Sequence, residues 1–221
     1  SGIGRIRSEH FPPEVQGRFL SNQLSGVRAT HWFELRENGN GYKTIRVRPD
    51  LLSSTDPYHR PVAMTFGPDG ALYIADFYSP VIENTSYPKR HPGRDHLRGR
   101  IWRITAKGRP LLKQPKIEGE PVVKLLELLK STQPPTRHFA RRELQEKAAA
   151  AVLADLKKWL KKNQPNEQLQ LEGLWIYQAL DIQEPGLLQR LLHAKDPYIR
   201  AAAVRVLRQW QVDLPNALKL L

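Results

Sequence analysis

The fold of the first half is decided by Arg60-Pro61-Val62-Ala63-Met64-Thr65-Phe66, Gly67-Pro68-Asp69-Gly70 and Ala71-Leu72-Tyr73-Ile74-Ala75-Asp76. Two short runs of apolar and β-forming residues flank four residues that turn a chain. Proline fixes φ, and glycine reaches φ > 0 without a steric cost. The stretch therefore predicts an antiparallel hairpin of two strands, 61–66 and 71–76. Downstream, after a polar loop from Phe77 to Arg98, Gly99-Arg100-Ile101-Trp102-Arg103-Ile104-Thr105 predicts a third strand. Pro110, Pro115 and Pro121 break up the residues beyond it, so no fourth strand is expected.

Upstream, the same alternation of β-formers and turn signals predicts four more strands. They are Gly4 to Arg7, Gly17 to Asn22, Val27 to Arg36 and Tyr42 to Arg48, with Asn38-Gly39-Asn40-Gly41 as the hairpin between the last two. A loop is expected from Leu52 to His59. Four strands in one meander are the size of a β-propeller blade, and the second set is one strand short. The expected fold class is thus β + α. Residues 1–110 form the C-terminal portion of a propeller, about two blades of antiparallel four-stranded meanders. Earlier blades, and an outer strand supplied by the N-terminal part of a longer chain, are expected upstream of Ser1. A small self-contained sandwich, or a sheet packed on the helices, is the other arrangement these strands allow.

From Pro121 the period changes. Val122, Leu125, Leu126 and Leu129 fall on one helical stripe. Pro134, Pro165 and Pro197 then recur at 31 and 32 residues. In that register Ala140, Leu171 and Ala203 correspond, as do Leu144, Trp175 and Leu207. Arg137 matches Arg200, and Arg142 matches Arg205. Second amphipathic segments are expected at Ala148 to Leu160, at Trp175 to Leu180 with Leu187 to Leu192, and as a stub after Leu214. A two-helix period near 30 residues predicts an α-solenoid of HEAT-like repeats over 121–221, joined to the β half by a linker at 111–120. Asp196-Pro197 predicts a capped helix start. Gly173 reads either as a point of close helix packing or, the simpler expectation, as a tolerated glycine.

Composition bounds the function. The 221 residues carry 35 Lys+Arg against 22 Asp+Glu, a net charge of +13. Residues 1–110 hold 17 and 10 of these, and the rest 18 and 12, so the excess is spread and not gathered on one face. That argues against a dedicated nucleic-acid reader. With no cysteine there is no disulfide, thiolate metal site, cysteine nucleophile or covalent haem attachment within these residues. No apolar run reaches the length of a membrane span. The chain opens Ser1-Gly2-Ile3-Gly4 without a Met or an apolar leader, which is expected of a processed protein or of a piece of a longer one.

The Arg60 to Pro80 stretch, with Arg94-Asp95-His96 and Gly99 to Pro110, resembles the large membrane-associated dehydrogenase-like proteins of planctomycetes and relatives. Those proteins carry a propeller similar to quinoprotein glucose/sorbosone dehydrogenases, then HEAT-like repeats, then usually a c-type haem domain. The resemblance covers essentially the whole chain in order of parts. It implies a periplasmic or otherwise extracytoplasmic oxidoreductase, with pyrroloquinoline quinone (PQQ) and calcium in the complete propeller and a sugar or alcohol as substrate. Its partners would be the other blades and a c-type cytochrome domain or protein. Cys-x-x-Cys-His is missing, so any haem belongs to a module outside these residues.

Within that frame, His96 and Asp95 are the candidate catalytic pair, the carboxylate orienting the imidazole as for a general base. The alternative is that both tie the loop to the sheet. Arg60, Asp76, Tyr78 and Arg94 are the candidate cofactor-binding residues. Arg60 would be the charge partner of an anionic tricarboxylate quinone, or else would pair with Asp76 between blades. His31 and Trp32 are expected to pack the sheet, and Trp102 and Trp175 to lie in the cores. His91-x-x-x-x-His96 has no third ligand nearby, so no metal site is expected. A non-catalytic glycan- or protein-binding scaffold is the rival reading of the same fold.

Overall fold

The computed structural model describes residues 2–81, 90–212 and 214. Glu83 and Lys89, and the stub expected after Leu214, lie outside the described residues. The chain divides into two units, Ser1–Gln114 and Pro115–Leu221. The class is β + α: two antiparallel sheets in the first unit and six helices among the described residues of the second.

The first sheet has the order β1-β2-β3-β4, with β1 Ile3–Arg5, β2 Phe19–Gln23, β3 Ala29–Asn38 and β4 Gly41–Ser53. The second is β5-β6-β7, with β5 Pro61–Phe66, β6 Leu72–Asp76 and β7 Arg100–Ile104. Each expected strand is present, and β3 turns into β4 with Asn38 paired to Gly41. The strand β4 runs further than its sequence predicts. Thr30 pairs with Leu52 and Trp32 with Val47, so four residues, 48–51, bulge opposite His31 alone. Pro49 has no amide hydrogen for a ladder, and the bulge removes the need for one. Asp50 in the bulge takes the Arg46 guanidinium at 2.9 Å, Arg48 at 3.1 Å and His31 Nδ1 at 3.0 Å. Burial pushes the Asp50 carboxyl up, but Arg46 and His31 outweigh it and hold it below its ordinary value. His31 is thus more than sheet packing: it is one partner of a buried carboxylate.

The core of this unit is built on Ile6, Phe11, Leu20, Leu72 and Ile74, and β5 packs against β1 and β2. The segment between β1 and β2 is sewn to the far end of the second sheet. Ser8 Oγ donates to Gly70 O at 2.8 Å. His10 Nδ1 lies 2.8 Å from Pro110 O, and its Nε2 accepts the Ala106 N–H at 2.9 Å. A carbonyl can only accept and an N–H only donate, so His10 is a neutral Nδ1–H tautomer with both nitrogens used. Leu112 N–H donates to Asp69 O, and Ile117 is buried among the helices, so the stretch 111–120 is held by packing at both ends.

The helices are α1 Val122–Leu128, α2 Pro134–Glu146, α3 Ala149–Lys162, α4 Glu167–Ala179, α5 Pro185–Leu192 and α6 Pro197–Trp210. Asp196 caps α6 through the Tyr198 N–H, and Asn166 caps α4 through the Leu169 N–H. At the centre, α4 packs against α2, α3, α5 and α6. This explains why it is buried nearly all round, polar Gln170 and Glu172 included.

The helix starts differ from the proline spacing by two residues at the middle position. Pro134 and Pro197 are the first residues of α2 and α6, whereas Pro165 lies two residues before the start of α4. Counting from the helix starts, Gly173, not Leu171, corresponds to Ala140 and Ala203, and Tyr177, not Trp175, corresponds to Leu144 and Leu207. All six are buried. The equivalence extends to hydrogen bonds. Arg137 donates to Ser131 O, Gln170 to Asn163 O and Arg200 to Ala194 O, each tying the helix to the loop before it. Trp175 accordingly lies at the edge of the core: it is half-buried, packed against the core cluster and beneath the Arg141 guanidinium, 5.1 Å away. The segment Trp175 to Ala179 completes α4 and does not begin a second helix. Gly173 is a close approach, since a Cβ there would lie 2.4 Å from Leu160 Cδ2.

Glu172 is 1% exposed and faces Arg137 at 3.2 Å and Arg141 at 2.8 Å. Burial nevertheless pushes its carboxyl above the ordinary value, the two arginines offsetting only part of the desolvation. Glu172→Gln is therefore expected to cost the helical unit less than about 1 kcal/mol, the size of one ordinary hydrogen bond. Urea unfolding at pH 7 checks this; a loss several times larger would mean the charge itself is needed.

Candidate functional site

At one end of the second sheet β5 begins, β6 ends and β7 begins. Three chain segments converge there. Asp76, the last residue of β6, is buried with its side chain inaccessible. Its Oδ1 accepts the backbone N–H of Arg60 at 2.8 Å and of Tyr78 at 3.0 Å. Its Oδ2 accepts His59 Nδ1 at 2.8 Å, Trp102 Nε1 at 2.9 Å and Arg100 Nε at 3.1 Å. Arg100 Nη2 lies 2.9 Å from the same oxygen without the angle of a hydrogen bond. Burial pushes the Asp76 carboxyl up. The Arg60 amide, the Trp102 indole, His59 and the Tyr78 amide together reverse that and hold it at about 2. An ionised carboxylate only accepts, so His59 donates from Nδ1. His59 Nε2 is left buried without a hydrogen-bond partner.

Around this carboxylate the side chains stack. Arg100 lies 4.4 Å from the Tyr78 ring centre and 5.2 Å from that of Trp102, and its Nη1 reaches Asp56 at 2.6 Å. Tyr58 and Tyr78 lie 4.9 Å apart. Tyr78 adopts φ +53°, the left-handed region that a bulky side chain enters only when its surroundings impose it. Here the Tyr78 amide bond to Asp76 and the two flanking stacks impose it.

Beside this cluster is an open depression lined by Phe77, Arg94, Asp95, His96, Arg98 and the end of β6. The sequence-expected residues therefore come to one sheet end, but not in the expected pairings. Asp95 accepts the Leu97 N–H at 2.9 Å and the Arg98 N–H at 3.0 Å, which closes a turn of its own loop. It makes no hydrogen bond to His96 among the described residues, and His96 is exposed. Arg60 meets Asp76 through its amide alone. Its guanidinium donates to His59 O at 3.1 Å and Pro80 O at 3.0 Å and is 7% exposed. The guanidinium on Asp76 is that of Arg100. Trp102 is half-buried and hydrogen-bonded, not simple core.

Sequence reasoning missed His59, Asp56, Tyr58 and Arg100. One signal was available. In the hairpin Pro61 pairs with Asp76, so whatever precedes Pro61 must flank that carboxylate, and β7 pairs Arg100 with it.

A family model described as a domain of unknown function, DUF7133, matches residues 1–108. The β-rich unit is similar to that domain. No curated protein and no solved structure matches the chain.

Chemically the cluster is a finished structure. Asp76 has spent both oxygens, and His59 Nε2, though unpaired, is sealed from any solute. Among the described residues no three His, Cys, Asp or Glu side chains converge to hold a metal ion. No described helix is long and apolar enough to cross a membrane.

Proposed function

We propose that this chain is the closing portion of a β-propeller followed by an α-solenoid of HEAT-like repeats, within an extracytoplasmic oxidoreductase-like protein. In this reading residues 1–221 support a site and do not perform its chemistry. Two features of the β-rich unit favour the propeller. Each sheet is a meander in sequence order, and the strand that opens the second packs on the two that open the first. The repeated helix-start positions favour the solenoid.

The observation that carries the functional reading is the saturated Asp76 cluster beneath the depression lined by Arg94, Asp95 and His96. A rigid wall under polar, accessible side chains is what a binding site needs from one of its sides. PQQ does not fit these residues alone, because the Arg60 guanidinium is committed to backbone carbonyls and Tyr78 to its neighbours. No step of quinone chemistry is assigned to them.

The protein purified at full length from its source, given PQQ and calcium, is expected to reduce a dye in the presence of a sugar or alcohol. Residues 1–221 alone are expected to show no such activity. A colourless, inactive full-length protein would sink the oxidoreductase reading. A glycan-binding scaffold is the second reading, favoured by Phe77, 49% exposed, next to the Tyr58–Tyr78 pair. Saturable binding on a glycan panel without dye reduction would decide for it.

A further inference from the structure

The helical unit has a groove between α3, α4 and α5 whose charge is not balanced. Lys157 and Lys161, one turn apart on α3, and Arg190 on α5 line it with Gln164, Tyr177 and Glu184. The three cations are exposed, and none lies in an ion pair among the described residues. Their neighbour Lys158, in contrast, lies 3.8 Å from Asp155. A second depression shares Gln164 and adds Lys162 and Lys195. The carboxylate in that depression, Glu167, is already used by the Lys195 and Asp196 amides. That depression holds two cations against this one carboxylate, a smaller excess than in the first groove. Clustered like charges repel one another, and an anion laid between them relieves that cost.

We propose that this groove binds an extended acidic segment of a partner polypeptide. The spacing selects the partner. Residues one turn apart on a helix are about 6 Å apart along its axis. Alternate side chains of an extended chain project on one side at about 6.6 Å. Carboxylates at every second position would meet Lys157 and Lys161 in turn, with Arg190 closing from the opposite wall. Leu160 and the buried Leu187 give the groove an apolar floor for the residues between. Nucleic acid fits less well, since Tyr177 is 2% exposed and offers no open ring face for a base. The proposal rests on the helical repeats being an interaction module, and it can fail without touching the oxidoreductase function proposed for the complete protein.

The test is fluorescence anisotropy of a labelled peptide of six Glu-Ala pairs titrated with residues 1–221, with a Gln-Ala peptide as control. Saturable binding of the acidic peptide is expected, weakened at least about tenfold by K157E/K161E and by R190E, and steeply reduced by salt. The double variant K107E/K113E makes the same change in net charge elsewhere and should weaken binding less than about threefold. These exposed substitutions should leave the circular dichroism spectrum unchanged. Absence of saturable binding overturns the proposal, as does an equal loss in the two double variants. Tighter, K157/K161-dependent binding of a single-stranded RNA of equal charge overturns it in favour of nucleic acid.

Discussion

Asp76→Ala is expected to lower the stability of the β-rich unit by about 3–5 kcal/mol, the usual result of removing one member of a buried charge cluster. The substitution strands His59 Nδ1, the Trp102 indole, two backbone amides and half of the Arg100 guanidinium. Hydrogen exchange read peptide by peptide separates the two units. Protection of the peptides spanning β6 and β7 should fall by two orders of magnitude or more, about tenfold per 1.4 kcal/mol, while helical peptides keep theirs. A loss below tenfold would mean that the cluster is ornamental.

The same carboxylate sets a pH dependence whose sign is fixed. Its folded pKa of about 2 lies below the ordinary 3.8, so its contribution is complete above pH 4. That contribution, about 2 kcal/mol, is lost as pH falls from 4 towards 2. The stability gap between the wild type and Asp76→Ala should narrow by that amount over this interval. Asp95→Ala, whose carboxylate closes only a surface turn, should stay within about 0.5 kcal/mol of the wild type.

Gly70→Val is the second substitution with a large expected effect. Gly70 has φ +79°, where a β-branched residue pays about 1–2 kcal/mol. A Cβ there would also stand 2.7 Å from Ser8 Oγ and 2.8 Å from both His10 Cβ and Leu112 Cδ1. Overpacking adds about 1–3 kcal/mol, for a total of about 2–5. Gly39→Val isolates the backbone share, since Gly39 has φ +58° with nothing within 4 Å of its Cβ position. Urea midpoints of the two variants compare them directly. If they fall together, the crowding around the turn contributes nothing.

The strands were legible because Gly, Pro and Asn punctuate them with mechanism, as Asn38 to Gly41 and Gly67 to Gly70 do. The extension of β4 was not, because a bulge opposite His31 hides Pro49 from the ladder, and nothing in Arg48-Pro49-Asp50 announces it. The helices were legible, but where each begins relative to its proline was not. Pro165 precedes its helix by two residues where Pro134 and Pro197 begin theirs, and a cap by Asn166 takes up the difference. Arg60, Asp76, Tyr78, Arg94, Asp95 and His96 do lie at one sheet end, but not in the pairs expected of them. Side-chain identity suggested an Arg60–Asp76 ion pair and an Asp95–His96 dyad. Backbone amides, which every residue but proline carries, took the places those pairings assumed were free.

The stitching of the segment around His10 to residues about 100 positions later has a consequence for how the protein is made. Ser8 waits for Gly70, and His10 for Ala106 and Pro110. During synthesis, which proceeds from the N-terminus, the β-rich unit cannot lock until that last partner has emerged. Until then it carries unpaired strand edges. The helices translated afterwards find their partners one or two helices away in sequence, α1 on α2 and α3, α4 on α2, α3, α5 and α6. The half of the chain translated first is thus built to finish its folding late, and it is the half that a slow ribosome or an absent chaperone would harm.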